Sequence, residues 1–368
     1  MGTIVVFGAT GYTGRLVTEA LVARGVSPRI AGRDATRLAA LSQELGGLEV
    51  QVADVAAPAS VAALVAKGDV LISTVGPFTR LGAPAVAAAV ERGAHYLDST
   101  GEGAFIRAIF ERHDEPARLR GVALLTAFGY DYVPGHLAAS LALEQAPSAV
   151  GVDIGYFASG GDGFGMSRGT AATVRETAFD RGLLFHRGRL REGAAGTRLG
   201  RFTIAGKRRV GVEVASSEPY VLPRCYPRLR DVSVYLGWFG KAAYAMAPLS
   251  RVTGPLLRLD IVRQLGQRAL AKLVPRGEGD ALGPGEDARA GAGSLIVAVA
   301  RDGRGRSLAQ VELIGVNSYD YTGRILAWGA ERALAGGLAG VGALGPVEAF
   351  GLTALLAGNA EAGLTRAP

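Results

Sequence analysis

The chain has 368 residues, of which 49% are hydrophobic and 20% charged, and its net charge is +7 at pH 7. This composition excludes a mainly disordered chain, and the length is sufficient for two domains with separate cores. The single cysteine excludes an internal disulfide and a CxxC metal site, and the four histidines are too widely spaced for a short zinc motif, so we expect no bound metal.

The positive charge is spread along the chain. The exception is Lys207-Arg208-Arg209. We interpret this run as a solvated hairpin tip, with a small anion-binding patch as the less favoured alternative. We therefore expect no nucleic-acid partner. The lone cysteine, together with an opening segment that does not read as a signal peptide, predicts a cytoplasmic protein.

Strand and helix patterns alternate through the first third of the chain. The predicted strands lie at 3–7, 29–31, 49–52, 70–74, 95–98 and 122–126, with helices between them at 13–24, 35–45, 59–65, 83–92 and 104–118. Strands separated by helices of this length indicate an α/β fold with a doubly wound parallel sheet of the Rossmann type. We assign residues 1–127 to this Rossmann domain.

From about residue 150 the pattern changes to extended runs separated by turn residues. The runs at 152–157, 201–204, 209–214, 295–300 and 308–315 predict a mostly antiparallel sheet. We assign residues 128–321 to a second α+β domain, which we expect to bind the substrate. Helical periodicity returns at 322–335, and we expect residues 322–368 to return to the Rossmann domain.

An apolar stretch with aromatic residues and basic punctuation covers residues 232–273. A core helix or a dimer interface is the favoured interpretation. The alternatives are peripheral contact with an anionic membrane surface, which would make the protein membrane-associated, and one wall of an apolar tunnel.

The motif Gly8-Ala9-Thr10-Gly11-Tyr12-Thr13-Gly14 lies between the first strand and the first helix. In this context the first glycine permits a tight turn, the second leaves room for a pyrophosphate, and the third lets the helix pack closely on the strand. The N-terminal end of the helix binds an anion favourably, because its amides are free and the helix dipole is positive there. The motif therefore predicts a dinucleotide site, with a glycine-rich turn that binds nothing as the alternative.

The end of the second strand indicates which dinucleotide binds. Gly32 occupies the position where NAD-binding proteins carry an acid for the ribose 2′-hydroxyl, and Arg33 and Arg37 follow it. A 2′-phosphate would meet guanidinium groups here, which favours NADP(H). Two alternatives stay open: Asp34 reaches the ribose if the register shifts, or the two arginines are ordinary helix-start charges.

Other strand ends complete the predicted cofactor site, because ligands of doubly wound sheets lie beyond the carboxyl ends of the strands. Asp54 is expected over the adenine, with a helix-start acid as the alternative. We also expect cofactor contacts from the peptides after the fourth and fifth strands, which are Thr74, Val75, Gly76 and Pro77, and Ser99, Thr100 and Gly101.

Five motifs in this order resemble the saccharopine dehydrogenase-like superfamily, in particular its trans-acting enoyl reductase branch: GATGYTG, VGPF, DSTGE, GYDYVPG and GPVEAFG. The resemblance spans nearly the whole chain. It implies a Rossmann domain joined to an α+β domain, the use of NADP(H), and a homodimer. The chain departs from the branch at Gly129-Tyr130-Asp131-Tyr132, where the enoyl reductases carry a GFDS-like peptide.

Reduction by a nicotinamide also requires a group that supplies a proton. None of the 11 tyrosines has a lysine four residues later, which excludes the Tyr-x-x-x-Lys mechanism of short-chain dehydrogenases. We predict Tyr130 or Tyr132 as the proton donor, oriented by Asp131, with a purely structural Tyr–Asp pair as the alternative. Asp98 and Glu102 are further candidates.

The favoured function is NADPH-dependent reduction of an activated double bond in an enoyl thioester or a related lipid-like or polyketide-like substrate, taken as a small molecule or bound to a carrier. The apolar content of residues 232–259 and the lack of an evident arginine set for a dicarboxylate favour this hypothesis. The alternatives are a saccharopine-like imine reductase acting on a small polar substrate, and a sensor or scaffold that binds NADP(H) without catalysis.

Overall fold

A computed structural model describes residues 2–159, 181–194, 196, 198–237, 244 and 283–367. The chain forms two compact units. The first consists of Met1–Gly101, Phe105–Val133 and Ser318–Gly363, and the second of Glu102–Ala104, Pro134–Asn317 and Leu364–Pro368.

The strands in chain order are β1 (Ile4–Phe7), β2 (Arg29–Gly32), β3 (Val50–Val52), β4 (Val70–Ser73), β5 (His95–Asp98), β6 (Ala123–Leu125), β7 (Gly151–Ser159), β8 (Arg181–His186), β9 (Arg189–Ala194), β10 (Leu199–Ile204), β11 (Lys207–Val214), β12 (Asp231–Leu236), β13 (Gly293–Arg301), β14 (Ser307–Val316), β15 (Gly342–Ala343) and β16 (Leu364–Arg366).

The helices are α1 (Tyr12–Ala23), α2 (Ala35–Glu44), α3 (Pro58–Ala62), α4 (Phe78–Leu81), α5 (Ala83–Arg92), α6 (Gly103–Ala108), α7 (Asp114–Arg120), α8 (Val133–Gln145), α9 (Glu218–Cys225), α10 (Glu286–Ala290), α11 (Ser318–Leu334), α12 (Pro346–Phe350) and α13 (Leu352–Glu361). A π-helical turn, Ile109–His113, joins α6 to α7.

The first unit is built on a seven-stranded sheet in the order β15-β6-β5-β4-β1-β2-β3. Every neighbouring pair in this sheet is parallel. All residues of β1 and β4 are buried, as expected for strands covered on both faces. The predicted doubly wound parallel sheet is confirmed. The strand order reverses between β1 and β4, which is where such sheets form a ligand crevice.

The C-terminal part of the chain contributes α11, α12 and α13 to the first unit, together with the short strand β15 beside β6. Helix α11 packs closely on α1, because a Cβ atom at Gly323 would lie 3.0 Å from the backbone of Leu16. Arg24, the residue that follows α1, also forms ion pairs with Glu331 and Glu361.

The second unit contains a sheet in the order β10-β11-β12-β7-β13-β14-β16, with β8 paired to β12 and β9 paired to β8. Only the β7–β12 pair is parallel in this described sheet, so the predicted mostly antiparallel arrangement is confirmed. Strand β16 lies in this unit, although we expected residues 322–368 on the first; Leu364 is buried and pairs with Gly315.

Among the helices of the described ranges, none is long and apolar enough to cross a membrane. In the apolar stretch at 232–273, residues 238–243 and 245–273 lie outside the described part of the chain. The hypotheses of a membrane contact or an interface depend on these residues and stay predictions.

Candidate functional site

The glycine turn after β1 has the geometry that its spacing predicts. Gly8 adopts a φ of 91°, and a Cβ atom there would lie 2.7 Å from the Thr74 hydroxyl. Gly11 donates its amide to the Gly8 carbonyl at 2.9 Å. A Cβ at Gly14 would lie only 2.2 Å from that same carbonyl oxygen, so any side chain at this position would push α1 away from the turn.

The N-terminus of α1 has the features of an anion site. The capping residue Gly11 supplies no side chain to the helix amides, and the first turn holds no acid. The first-turn amides of a helix lack intrahelical acceptors, and the helix dipole is positive at this end. A pyrophosphate therefore fits the cradle, where glycines keep the space open that side chains would fill.

The end of β2 distinguishes between the two dinucleotides. Asp34 caps α2, since its Oδ1 atom accepts the Arg37 amide at 3.0 Å. The Arg37 guanidinium donates to the Thr10 carbonyl of the glycine turn at 3.0 Å. Arg33 is exposed, and its side chain has no hydrogen bond or ion pair with any residue that the structure describes. An unpaired guanidinium beside the turn suits a 2′-phosphate.

The sheet places the predicted cofactor residues in a row along its carboxyl edge, because parallel strands end on the same side. From β3 to β6, the row consists of Asp54, then Arg33, then the Gly8–Gly14 turn, then Thr74 to Pro77, then Ser99 to Gly101, and finally Tyr130 to Tyr132.

The side chains of Thr74 and Asp54 make hydrogen bonds within the fold. The Thr74 hydroxyl lies 3.2 Å from the carbonyl oxygens of both Phe7 and Gly8, so it fixes the end of β4 against the glycine turn. Asp54 accepts the Ala56 amide at 2.9 Å through Oδ1, which makes it a turn-forming acid with one carboxylate oxygen left for another partner. Val75 packs partly on the core, and Gly76 and Pro77 lead into α4.

Asp98 connects two strand-end peptides. Its Oδ1 atom accepts the amides of Thr100 and Ala127, each at 2.9 Å, and its carbonyl accepts the Phe128 amide at 2.7 Å. Ala127 has a φ of 55°, a left-handed conformation that costs a non-glycine residue about 1 kcal/mol. Burial raises the pKa of Asp98 to about 6, against the opposing effect of these amides. We interpret Asp98 as the residue that holds the 127–132 loop in place.

The three predicted catalytic residues lie together in this loop. Tyr130 and Tyr132 are each 4% exposed. The Tyr130 amide donates to the Thr322 hydroxyl at 3.0 Å, and its ring meets Tyr321 edge-on with centroids 6.2 Å apart. The Tyr132 amide donates to the Ala127 carbonyl at 2.8 Å.

Asp131 has the most unusual environment of the three. Its Oδ1 atom is buried, although the residue as a whole is partly exposed, and desolvation of the carboxyl group raises its pKa to about 6. Oδ1 has no hydrogen-bond partner within the described ranges, and Oδ2 is so close to Gly101 that a Cβ there would lie 3.0 Å away. A buried oxygen without a partner is rare in folded proteins. It is therefore free to bind a donor group of a ligand.

Glu102 and His136 belong to the second unit. The Nε2 atom of His136 lies 2.9 Å from the Ser217 hydroxyl, and burial, with a smaller effect of the Arg224 charge, lowers the pKa of His136 to about 3. The imidazole is therefore neutral at pH 7. In the described parts of both units, no group of three or more His, Cys, Asp or Glu side chains is placed to hold a metal.

Sequence reasoning missed the residues that support the loop from the C-terminal segment. Thr322 and Tyr321 lie on α11, and the Tyr321 hydroxyl donates to Asn359 of α13 at 2.6 Å. Thr322 is 192 positions from Tyr130, so no local pattern indicates that they meet.

The comparison with protein families assigns the first domain. Residues 4–121 match the family described as the saccharopine dehydrogenase NADP binding domain. The predicted resemblance to the saccharopine dehydrogenase-like superfamily is confirmed, and so is the predicted cofactor, which is NADP(H).

Curated relatives are similar to about a third of this chain. Over 140 residues the chain is 38% identical to a protein of Mycobacterium ulcerans and 37% identical to one of Mycobacterium tuberculosis, both named trans-acting enoyl reductase. Each alignment covers 36% of this chain and 34% of the relative. The match therefore spans about a third of the length of these relatives.

Among solved structures, the chain is similar to the apo form of saccharopine dehydrogenase (L-Glu forming) from Saccharomyces cerevisiae. The TM-score is 0.61 at 13% sequence identity, with 100% of both chains covered. At this identity the likeness concerns the fold.

Proposed function

We propose that this chain, whose N-terminal domain is of the saccharopine dehydrogenase NADP-binding type, is an NADPH-dependent oxidoreductase that reduces a carbon–carbon double bond conjugated to a thioester. The observation that carries the proposal is Asp131, whose carboxyl group has one buried oxygen without a hydrogen-bond partner and lies beyond the end of β6. Asp131 lies in the same unit as the glycine turn. The names of the mycobacterial relatives favour this substrate class.

The chain's own residues hold the cofactor in the proposed reaction. The amides at the start of α1 bind the pyrophosphate. Arg33 and Arg37 bind the 2′-phosphate, and Asp54 accepts a hydrogen bond from the adenine. The peptides 74–77 and 99–101 border the nicotinamide end. The bound cofactor supplies a hydride, and every other requirement of the reaction falls to the protein.

The protein must deliver a proton to the carbon beside the thioester carbonyl, because its neighbour receives the hydride. A general acid is most effective when its pKa lies near the working pH. With a pKa of about 6, Asp131 is protonated in about a tenth of the molecules at pH 7. We assign the transferred proton to Asp131. Tyr130 and Tyr132, the donors predicted from sequence, provide the alternative route.

The first experiment measures NADPH oxidation with a panel of enoyl thioesters and cyclic imines. We expect turnover of the thioesters. Turnover of imines alone would instead establish the imine reductase alternative, and saturable NADPH binding without turnover of any substrate would favour the sensor or scaffold.

The second experiment compares Asp131→Asn with Tyr130→Phe and Tyr132→Phe. Loss of a general acid lowers kcat by roughly 10²- to 10⁴-fold. We expect this loss in Asp131→Asn, together with disappearance of the pH dependence of kcat/KM near pH 6 and an unchanged Kd for NADPH. If Asp131→Asn keeps the wild-type rate while one of the tyrosine variants loses it, the proton belongs to that tyrosine.

A further inference from the structure

Helices α1 and α11 lie side by side in the first unit and run in the same direction. Three contacts between them span their length: Tyr12 with Tyr319, Leu16 with Gly323, and Arg24 with Glu331. In each pair the two residue numbers differ by 307. A constant difference means that the helices are parallel and in register, because antiparallel helices would keep the sum of the numbers constant. The N-terminus of α11 therefore lies beside that of α1.

The last residue of α11 shows how this helix is oriented on the sheet. A Cβ atom at Gly2 would lie 3.0 Å from the Cδ1 atom of Leu334, which ends α11. Gly2 precedes β1, so this end of α11 lies at the amino edge of the parallel strands. The first turn of α11 lies at the opposite, carboxyl edge, where doubly wound sheets bind their ligands.

Two further contacts place α11 on the nicotinamide side of α1. A Cβ atom at Gly329 would lie 3.2 Å from Leu97 of β5, and near the start of α11 the Thr322 hydroxyl accepts the Tyr130 amide at 3.0 Å. Strands β5 and β6 lie beyond β4, on the other side of β1 from β2. The start of α11 is therefore next to the glycine turn and to the loop after β6, and away from the 2′-phosphate end at β2.

Tyr319 is the residue of this first turn that contacts the start of α1. Its ring meets the ring of Tyr12 edge-on, with an interplanar angle of 88° and centroids 5.0 Å apart. Tyr12 is the first residue of α1 and follows Gly11, so Tyr319 packs against the residue that opens the anion-binding turn. Both tyrosines are partly exposed. Together they offer a ligand aromatic surface and phenolic hydroxyls that form hydrogen bonds.

The end of α11 differs in charge from the start of α1. Asp320 lies in the first turn of α11 and offsets the positive end of the helix dipole, whereas the first turn of α1 holds no acid. The helix end itself is therefore a poor anion site, and a contact with the cofactor falls to the Tyr319 side chain.

We propose that Tyr319 is a cofactor-binding residue, which together with Tyr12 holds the pyrophosphate and the adjoining nicotinamide ribose of NADP(H). The inference rests on the cofactor site at the glycine turn, which the proposed function also uses, and it holds for any substrate. It gives the return of residues 318–363 to the first unit a direct role in the binding site.

The test measures the Kd of two ligands by isothermal titration calorimetry. NADPH occupies the whole proposed site, whereas adenosine 2′-monophosphate carries the adenine and the 2′-phosphate but neither the pyrophosphate nor the nicotinamide. We expect Tyr319→Ala to raise the Kd of NADPH by about tenfold or more and to leave the Kd of adenosine 2′-monophosphate within about twofold of wild type. The control Arg324→Ala removes an exposed side chain of the same helix and should change neither value.

A pair of variants with side chains of the same shape tests the proximity to the pyrophosphate. Tyr319→Glu places a carboxylate there, and Tyr319→Gln is its neutral counterpart. We expect NADPH to bind Tyr319→Glu about tenfold more weakly than Tyr319→Gln at about 50 mM salt, with a smaller difference at about 500 mM, because salt screens the repulsion. Adenosine 2′-monophosphate should bind both variants equally.

Three results would overturn the inference. They are a wild-type Kd for NADPH in Tyr319→Ala, an equal loss of affinity for both ligands in that variant, and equal NADPH affinity of Tyr319→Glu and Tyr319→Gln. The second result indicates a merely structural role of the Tyr12–Tyr319 pair, since such a role disturbs the whole site. The measurements require no substrate, so a chain that binds NADPH through Tyr319 and reduces no thioester contradicts the proposed function and supports this inference.

Discussion

Replacing Gly32 by aspartate is expected to shift the cofactor preference from NADPH toward NADH. Gly32 is the last residue of β2, at the position where an acid would face the ribose 2′-hydroxyl of NAD. A Cβ atom there would lie 3.8 Å from Leu38 and 3.9 Å from the Thr10 hydroxyl, which are ordinary contact distances. The backbone also lies outside the left-handed region, so the side chain enters without strain.

The size of the shift follows from the charges. A hydrogen bond to a charged group contributes about 1.5–3 kcal/mol net, which corresponds to about 10- to 150-fold in affinity. Aspartate gains such a bond with the 2′-hydroxyl of NADH and opposes the 2′-phosphate of NADPH. We therefore expect the ratio of the two Kd values to change by roughly 10²- to 10³-fold.

The assay is a fluorescence titration of NADPH and NADH, which requires no substrate. Gly32→Asn is the matched control, because its side chain has the same shape without the charge. A ratio that changes equally in the Asp and Asn variants, or that does not change at all, would refute the assignment of this strand end to the 2′ position.

Three further outcomes are expected. Gly14→Ala should lower the Tm and abolish NADPH binding, because its Cβ overlaps the Gly8 carbonyl oxygen, whereas Gly32→Ala should bind NADPH normally; equal behaviour of the two contradicts the close-packing argument. Asp131 has a folded pKa of about 6, above its unfolded value, so its ionisation opposes folding as the pH rises. In urea unfolding, Asp131→Asn should therefore be up to about 3 kcal/mol more stable than wild type at pH 8, and this difference should disappear by pH 4. His136 has a folded pKa of about 3, below its unfolded value, so its protonation opposes folding as the pH falls. Through this group the free energy of unfolding of wild type should decrease by about 2 kcal/mol between pH 7 and pH 5. The same decrease in His136→Gln would contradict this assignment.

The features predictable from sequence are those encoded within a few neighbouring residues. The glycine turn is one, because each glycine meets its steric requirement within the same strand–turn–helix unit or the adjacent strand. Arg33 is another, since its place at the end of β2 follows directly from the strand pattern. In the second sheet, β10 was predictable from its alternation of buried and exposed residues, and β13 from its continuous apolar run.

Features that depend on distant partners were not predictable. Strand β15 has only two residues, and it exists because Gly342 and Ala343 pair with β6. The role of Asp98 depends on the Ala127 amide, and Ala127 adopts a left-handed conformation that sequence patterns associate with glycine.

The pairing of β15 with β6 has a consequence for the order of folding. The nucleotide-binding unit is assembled from pieces of chain separated by the entire second unit, so its sheet is complete only after residues 342–343 have been synthesised. Until then a nascent chain holds β6 as an open edge, the kind of edge that pairs with other chains. During synthesis, chaperone protection of this unit is therefore expected to last until residues 342–343 emerge from the ribosome.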